Sequence, residues 1–261
     1  MSEPGRWADL VPRLISAAVL VIVATIELLL GGLWFETFVG AACGLMIWEL
    51  TRMISPKQHG LGYALAAVIA FCVVMSYHVP PQGTILLLGL PALMGMAVMS
   101  GQRGLWAIVA LWVAVAGFGF IWVRESLGLG WMVWLICVVV ASDVAGYFVG
   151  RVVGGPKFWP RVSPKKTWSG TLGGWVFAGL VGLGWVIWGN ASLNLIGVSV
   201  LAAMAAQAGD IAESAVKRTC GVKDSSALIP GHGGFLDRFD GMMGASVLVL
   251  LVTLVWQPGA V

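Results

Sequence analysis

Charge is scarce in this chain: only 10% of its 261 residues are Asp, Glu, Lys or Arg. Soluble domains carry about 25%, and a soluble apolar core would need polar faces on most of its helices, so a water-soluble globule is excluded. Cysteine is nearly as rare. Cys43, Cys72, Cys137 and Cys220 fall in different segments with no CxxC spacing, which argues against a zinc site and a disulfide framework and leaves four reduced packing residues. The chain has no GxxxxGK[ST] loop and no Rossmann fingerprint, so neither familiar nucleotide-binding loop is present. It also lacks the internal repeat that marks many transporters.

What the chain has in abundance is apolar sequence, 59% of residues with a mean hydropathy of +0.93. Apolar runs approach the roughly 20 residues needed to span hydrocarbon. Polar or Gly/Pro breaks separate nine candidate spans, approximately 10–33, 35–54, 61–79, 82–99, 104–123, 129–150, 168–189, 192–216 and 241–257. The first run is longer than the core of a secretory signal and lacks a small-residue cleavage site, so it is expected to be retained. The predicted fold class is an all-α, polytopic membrane protein. Two parts are expected, N-terminal scaffold spans over 1–128 and chemistry-bearing spans with their loops over 129–261.

The basic residues test this alternation. With the N-terminus inside, Arg6, Arg13, Arg52, Lys57, Arg103, Arg151, Lys157, Arg161, Lys165, Lys166, Lys217, Arg218, Lys223 and Arg238 share one side and Arg124 alone faces the other, 14 of 15 in all. The positive-inside bias then predicts a cytoplasmic N-terminus and an opposite C-terminus. Glu27 and Glu49 sit within apolar runs, where a charge is costly and usually faces protein or water; for Glu27 a protonated or interior-paired structural acid is expected over a catalytic one. Trp7, Trp34, Trp106, Trp131, Trp168, Trp188 and Trp256 stand near span ends, the usual place for amphipathic rings at the headgroups.

Acids, bases and glycines crowd together in one stretch, GDIAESAVKRTCGVKDSSALIPGHGGFLDRFDG from Gly209 to Gly241. Asp210, Glu213, Ser214, Lys217 and Arg218 recur at helical spacing and share one face. Pro230 and the neighbouring glycines then impose a bend, and Asp237, Arg238 and Asp240 follow. A second polar stretch runs Ser142-Asp143-Val144-Ala145-Gly146-Tyr147 into a loop holding Arg151, Lys157, Arg161, Lys165 and Lys166, the densest basic segment of the chain. Such a cluster can set topology or attract anionic headgroups without doing chemistry.

The pattern Ser214-x-x-Lys217-Arg218-x4-Lys223-Asp224-x-Ser226-x2-Ile229-Pro230-x-His232-Gly233-Gly234-x2-Asp237-Arg238-x-Asp240 resembles the signature of the phosphatidate cytidylyltransferases, or CDP-diacylglycerol synthases. Ser163 to Gly170 resembles a second block of that family. The resemblance spans roughly residues 129–241 and departs from the common pattern at Val144, Gly146 and Gly241. It implies condensation of CTP with phosphatidate to CDP-diacylglycerol and pyrophosphate in phospholipid synthesis. A phosphate monoester is already ionised at neutral pH, so that reaction needs no Ser-His-Asp nucleophile, and positioning and electrostatics should dominate. Hard oxygen ligands suit Mg²⁺, which keeps several waters and takes one or two carboxylates. On this reading Asp210 and Asp237 bind Mg²⁺ with Asp240 and Asp143 in support, and a second metal ion is compatible with so many acids. Lys217 and Arg238 join Asp210 and Asp237 in catalysis, while Lys165, Lys166, Arg218, Lys223, Ser214, His232, Gly233 and Gly234 form the phosphate-binding set. Arginine offers a bidentate fork, lysine a point charge, and glycine an unobstructed amide.

The expected partners are CTP, phosphatidate and membrane lipids, with homodimerisation a family expectation and no nucleic acid. The expected location is the inner, cytoplasmic membrane with the site facing the cytoplasm. A CTP-dependent polyprenol or lipid kinase is the neighbouring alternative. An anion or ion transporter is a more distant one, because it would distribute polar groups toward the bilayer midplane.

Overall fold

A computed structural model describes residues 10–189 and 191–255, and the side chains of all of these except 10–13 and 59. Arg6, Trp7, Trp256 and the side chain of Arg13 lie outside the described residues. Nine α-helices appear among the described residues: α1 (Leu10–Leu30), α2 (Gly32–Ile54), α3 (His59–Tyr77), α4 (Pro81–Val98), α5 (Arg103–Trp122), α6 (Leu129–Val153), α7 (Trp168–Gly189), α8 (Asn194–Thr219) and α9 (Leu236–Val255). A π-turn, Val123–Leu127, follows α5. Among the described residues eight helices, α2 to α9, are long and apolar enough to cross a membrane, and the described part of α1, Leu14–Leu30, is a shorter apolar helix. The all-helical, multi-pass architecture is therefore as the hydropathy pattern implies. The main boundary difference is at α9, which begins at Leu236 and not near 241, because polar Asp237 to Asp240 lower the hydropathy of a first turn that is nonetheless helical.

One short β-hairpin interrupts the helices. β1 (Lys157–Trp159) pairs antiparallel with β2 (Ser163–Thr167), with Lys157 opposite Thr167 and Trp159 opposite Ser163. Thr167 then caps α7: its Oγ1 accepts from the Gly170 amide at 3.2 Å, three residues into the helix. Ser169 Oγ donates to the Gly154 carbonyl and ties the same helix start to the loop after α6.

The chain forms two compact units. The first takes the chain up to Ala114 together with Cys220–Arg238, and the second takes Val115–Thr219 together with the chain from Phe239 onward. Within the first unit, Gly40 and Gly44 on α2 lie so close to α3 that a Cβ on either would stand 3.0 Å from the Ala70 or Ala66 carbonyl oxygen. Small residues allow such backbone approach in lipid, where helices gain little by burying apolar surface against one another. Trp106 is fully buried and donates Nε1–H to Thr51 Oγ1 at 3.0 Å; Trp131 is buried too, so these two rings serve packing instead of the membrane boundary. Trp34, Trp168 and Trp188 are exposed.

Glu49 is fully buried on α2 and gathers the returning segment. Its carboxyl group accepts from Ser226 Oγ at 2.6 Å and from the Phe235 and Leu236 amides at 2.9 Å, and shares the Ser225 hydroxyl, 3.0 Å away, with Asp237. Phe235 and Leu236 stand at the start of α9, where amides lack intrahelical acceptors. Glu49 thus faces protein and is satisfied at both oxygens. Replacing Glu49 by alanine should leave those amides without acceptors at about 1–3 kcal/mol each. We expect a lower thermal midpoint in detergent and faster protease cleavage within residues 220–235, both read against the wild-type protein.

Candidate active site

The second unit gathers most of the predicted site residues. Asp210, Glu213 and Asp240 place carboxyl oxygens within 4.8 Å of one another. Asp210 and Glu213 stand one turn apart on α8, and Asp240 comes from α9 because glycines let the two helices nearly touch. A Cβ on Gly209 would collide with the Asp240 carbonyl oxygen and stand 3.2 Å from the Gly244 Cα. Two lysines pair with two of the three carboxylates. Lys217 Nζ lies 2.7 Å from Glu213 Oε2, both side chains being almost wholly buried, and Lys166 from β2 pairs with Asp210 Oδ2. Ser214 Oγ lies 3.4 Å from Asp210 Oδ1.

A cavity of about 540 Å³ opens beside Asp210. Arg151, Lys157, Lys165 and Lys166 line it, against two acids, Asp143 and Asp210. The cationic excess suits a polyanion. Arg151 donates to the Tyr147 hydroxyl at 2.7 Å, which places its guanidinium on that cavity wall. Close approach of α6 and α7 builds the wall: a Cβ on Gly146 would stand 3.2 Å from the Gly170 carbonyl oxygen. Gln207, Ser142 and Thr171 complete the lining as neutral polar groups.

The remaining predicted residues belong to the first unit, apart from Arg218, which is exposed at the end of α8. Lys223 and Arg238 are exposed there. Asp237 is 8% exposed, and its Oδ2 accepts from the Ser225 amide and hydroxyl and the Gly234 amide, each at 2.8 Å. Gly231 and Gly233 adopt φ of 74° and 85°, and Ile229 and Gly233 close the bend by a 2.8 Å bond from the Ile229 amide. The Gly234 amide is thereby directed to Asp237. His232 Nδ1 lies 3.0 Å from Ser16 Oγ on α1.

Three residues that the sequence places in its polar stretches, without assigning them to the site, stand with it here. Glu213 is the third member of the acidic group, signalled only by its i+3 spacing from Asp210. Arg151 and Lys157 stand within the basic segment but are separated from Lys165 and Lys166 by the hairpin, whose fold brings all four to one cavity.

Hard oxygen donors from three carboxylates at this spacing fit a divalent cation, and the adjoining lysines are placed to meet phosphate oxygens beside it. Fold and site together define a helical, multi-pass membrane protein with a cation-lined cavity beside a carboxylate group. The chain belongs to the cytidylyltransferase family, whose sequence profile matches residues 11–256. A phosphatidate cytidylyltransferase of Brucella suis biovar 1 (strain 1330) is 37% identical over 262 residues, covering 94% of this chain and 93% of that protein. One from Staphylococcus aureus (strain COL) is 32% identical over 260 residues, covering 94% and 98%.

Lys165 and Lys166 separate a binding role from a topological one. Alanine at both should lower turnover by at least about a hundredfold, since charge-assisted contacts are worth about 1.5–3 kcal/mol each, while membrane insertion stays intact. Unchanged kinetics in correctly inserted protein would return this loop to topology alone.

Proposed function

We propose that this protein transfers the cytidylyl group of CTP to phosphatidate, releasing pyrophosphate and forming CDP-diacylglycerol, at the cytoplasmic face of a cell's inner membrane. The observation that carries the reading is the cationic cavity beside the three-carboxylate group, in a chain that matches phosphatidate cytidylyltransferases over 94% of its length. A lipid phosphate oxygen attacks the α-phosphorus of CTP and the bond to the β-phosphate breaks, so two polyanions must be held together.

Lys165, Lys166, Lys157 and Arg151 hold phosphate oxygens in the cavity and offset their mutual repulsion. Lys217, one turn from Glu213, keeps that carboxylate neutralised within the helices. Asp210, Glu213 and Asp240 would hold Mg²⁺, with Asp143 in support. The ion would supply Lewis-acid polarisation of phosphate oxygens and charge neutralisation at the leaving group. Asp237 sets the bend after Pro230 and the first turn of α9, and Lys223, Arg218, Arg238, Ser214 and His232 are further phosphate-contact candidates. Homodimerisation belongs to the same proposal.

The test uses purified protein with phosphatidate in mixed micelles, Mg²⁺ and CTP labelled at the α-phosphate. Label should enter the lipid while unlabelled pyrophosphate is released, and chelation should abolish both. Label retained in CDP, with phosphate gained by the lipid, would identify a kinase instead. Asp210→Asn and Asp240→Asn should each cost about a hundredfold in activity, the upper range for perturbed metal sites, with partial recovery at raised Mn²⁺. Asp237→Asn should resist such recovery, because its carboxylate is held by Ser225 and Gly234 and sets the bend.

A further inference from the structure

The first unit has two concavities of its own, and Leu228 lines both. On one side a pocket of about 410 Å³ is walled by Trp48, Arg52 and Met53 of α2 against Val222, Ser225 and Ser226. On the other a groove of about 500 Å³ runs between Ile15, Val19 and Leu20 of α1 and residues 228–230. Ser16 Oγ donates to the Pro230 carbonyl at 3.0 Å, which ties α1 to the bend at the edge of this groove.

The pocket offers a single charge. Arg52 is exposed in the last turn of α2, its guanidinium carbon 4.7 Å from the centre of the Trp48 ring. Among the described residues no carboxylate forms an ion pair with it. The Ser225 and Ser226 hydroxyls are directed at Glu49 and Asp237, so their protons are already used and Arg52 is the donor left for a ligand. A guanidinium beside an aromatic ring suits a phosphate. The groove has the opposite character: Ile15, Val19 and Leu228 expose large apolar side chains, which suit hydrocarbon. Since Leu228 meets the last turns of α2 and the first half of α1 alike, these stand side by side. An arginine and a tryptophan at the end of one helix, next to an apolar groove along another, have the layout of a phospholipid, with a charged head where a span leaves the hydrocarbon and a tail alongside.

We propose that the first unit binds one anionic phospholipid of the surrounding membrane, its phosphate on Arg52 beside Trp48 and an acyl chain in the groove between α1 and residues 228–230. The bound lipid fastens α1 and α2 to the bend that carries Asp237. Its site shares no residue with the cavity lined by Lys165 and Lys166, and the inference does not depend on the cytidylyltransferase reading.

The experiment titrates purified, delipidated protein in detergent with dioleoyl phosphatidylglycerol or dioleoyl phosphatidylcholine and counts lipids bound per chain by native mass spectrometry. The two lipids share their acyl chains and differ in net charge. Wild-type protein should hold one phosphatidylglycerol per chain, at least about tenfold more tightly than phosphatidylcholine, the worth of one charge-assisted contact. Arg52→Gln, whose stem can still lie on Trp48, should remove that preference. Val19→Trp, which fills the groove, should weaken both lipids, and Lys165→Ala with Lys166→Ala should leave the preference intact. Inorganic phosphate, the other source of the same charge, should fail to displace the lipid at millimolar concentration; displacement would make Arg52 a site for a free anion and overturn the inference. Wild-type behaviour in either Arg52→Gln or Val19→Trp, or a loss confined to the lysine pair, would overturn it as well, the last by assigning the bound lipid to the cavity.

Discussion

Three carboxyl groups within 4.8 Å of one another repel strongly unless cations lie among them. Two like charges at about 4 Å cost about 4 kcal/mol even at an effective dielectric of about 20, so Asp210, Glu213 and Asp240 could not be gathered between helices without compensation. Lys217 and Lys166 provide it in the protein alone. The same arrangement suits the proposed chemistry, because the carboxylates that pair with lysines are the groups that would hold a divalent cation, and the lysines stand where phosphate oxygens would be met. The glycines follow from this constraint. Gly209 and Gly244 have no room for a Cβ, and only their absence of side chains brings α8 and α9 close enough to form the group.

A second buried acid does a different job. Glu49 and Asp237 draw Ser225, Ser226 and the amides before and at the start of α9 into one network, so the Gly-rich bend is held by its own backbone donors. Gly233 is confined at positive φ beside Asp237, and Gly234 has no space for a side chain next to Ser225 and Glu49. Glycine in this bend therefore serves internal packing as well as turn geometry. Asp240 follows three residues after Asp237 on the same helix.

Much of the architecture was legible in the sequence because apolar runs of membrane length admit few alternatives to helices. Lys166 pairs with Asp210, and Lys165 and Lys166 line one cavity with Asp143, residues that the sequence shows only as members of two separate polar stretches. Other features had no sequence signal. The hairpin Lys157–Trp159 with Ser163–Thr167 is too short, and too interrupted by Pro160 and Pro164, to show strand alternation. The membership of residues 220–238 in the first compact unit depends on Glu49, distant by more than 170 positions from its partners in the chain. Trp106 and Trp131 stood near span ends yet are buried, because proximity to a boundary says nothing of which face a ring takes.

The most direct test of the carboxylate group is divalent-cation binding itself, measured without turnover. Mn²⁺ titrated into purified protein and followed by electron paramagnetic resonance should occupy a site whose affinity falls at least about tenfold in both Glu213→Gln and Asp240→Asn, the range expected when a coordinating environment is disturbed. Wild-type affinity in both variants would contradict the account.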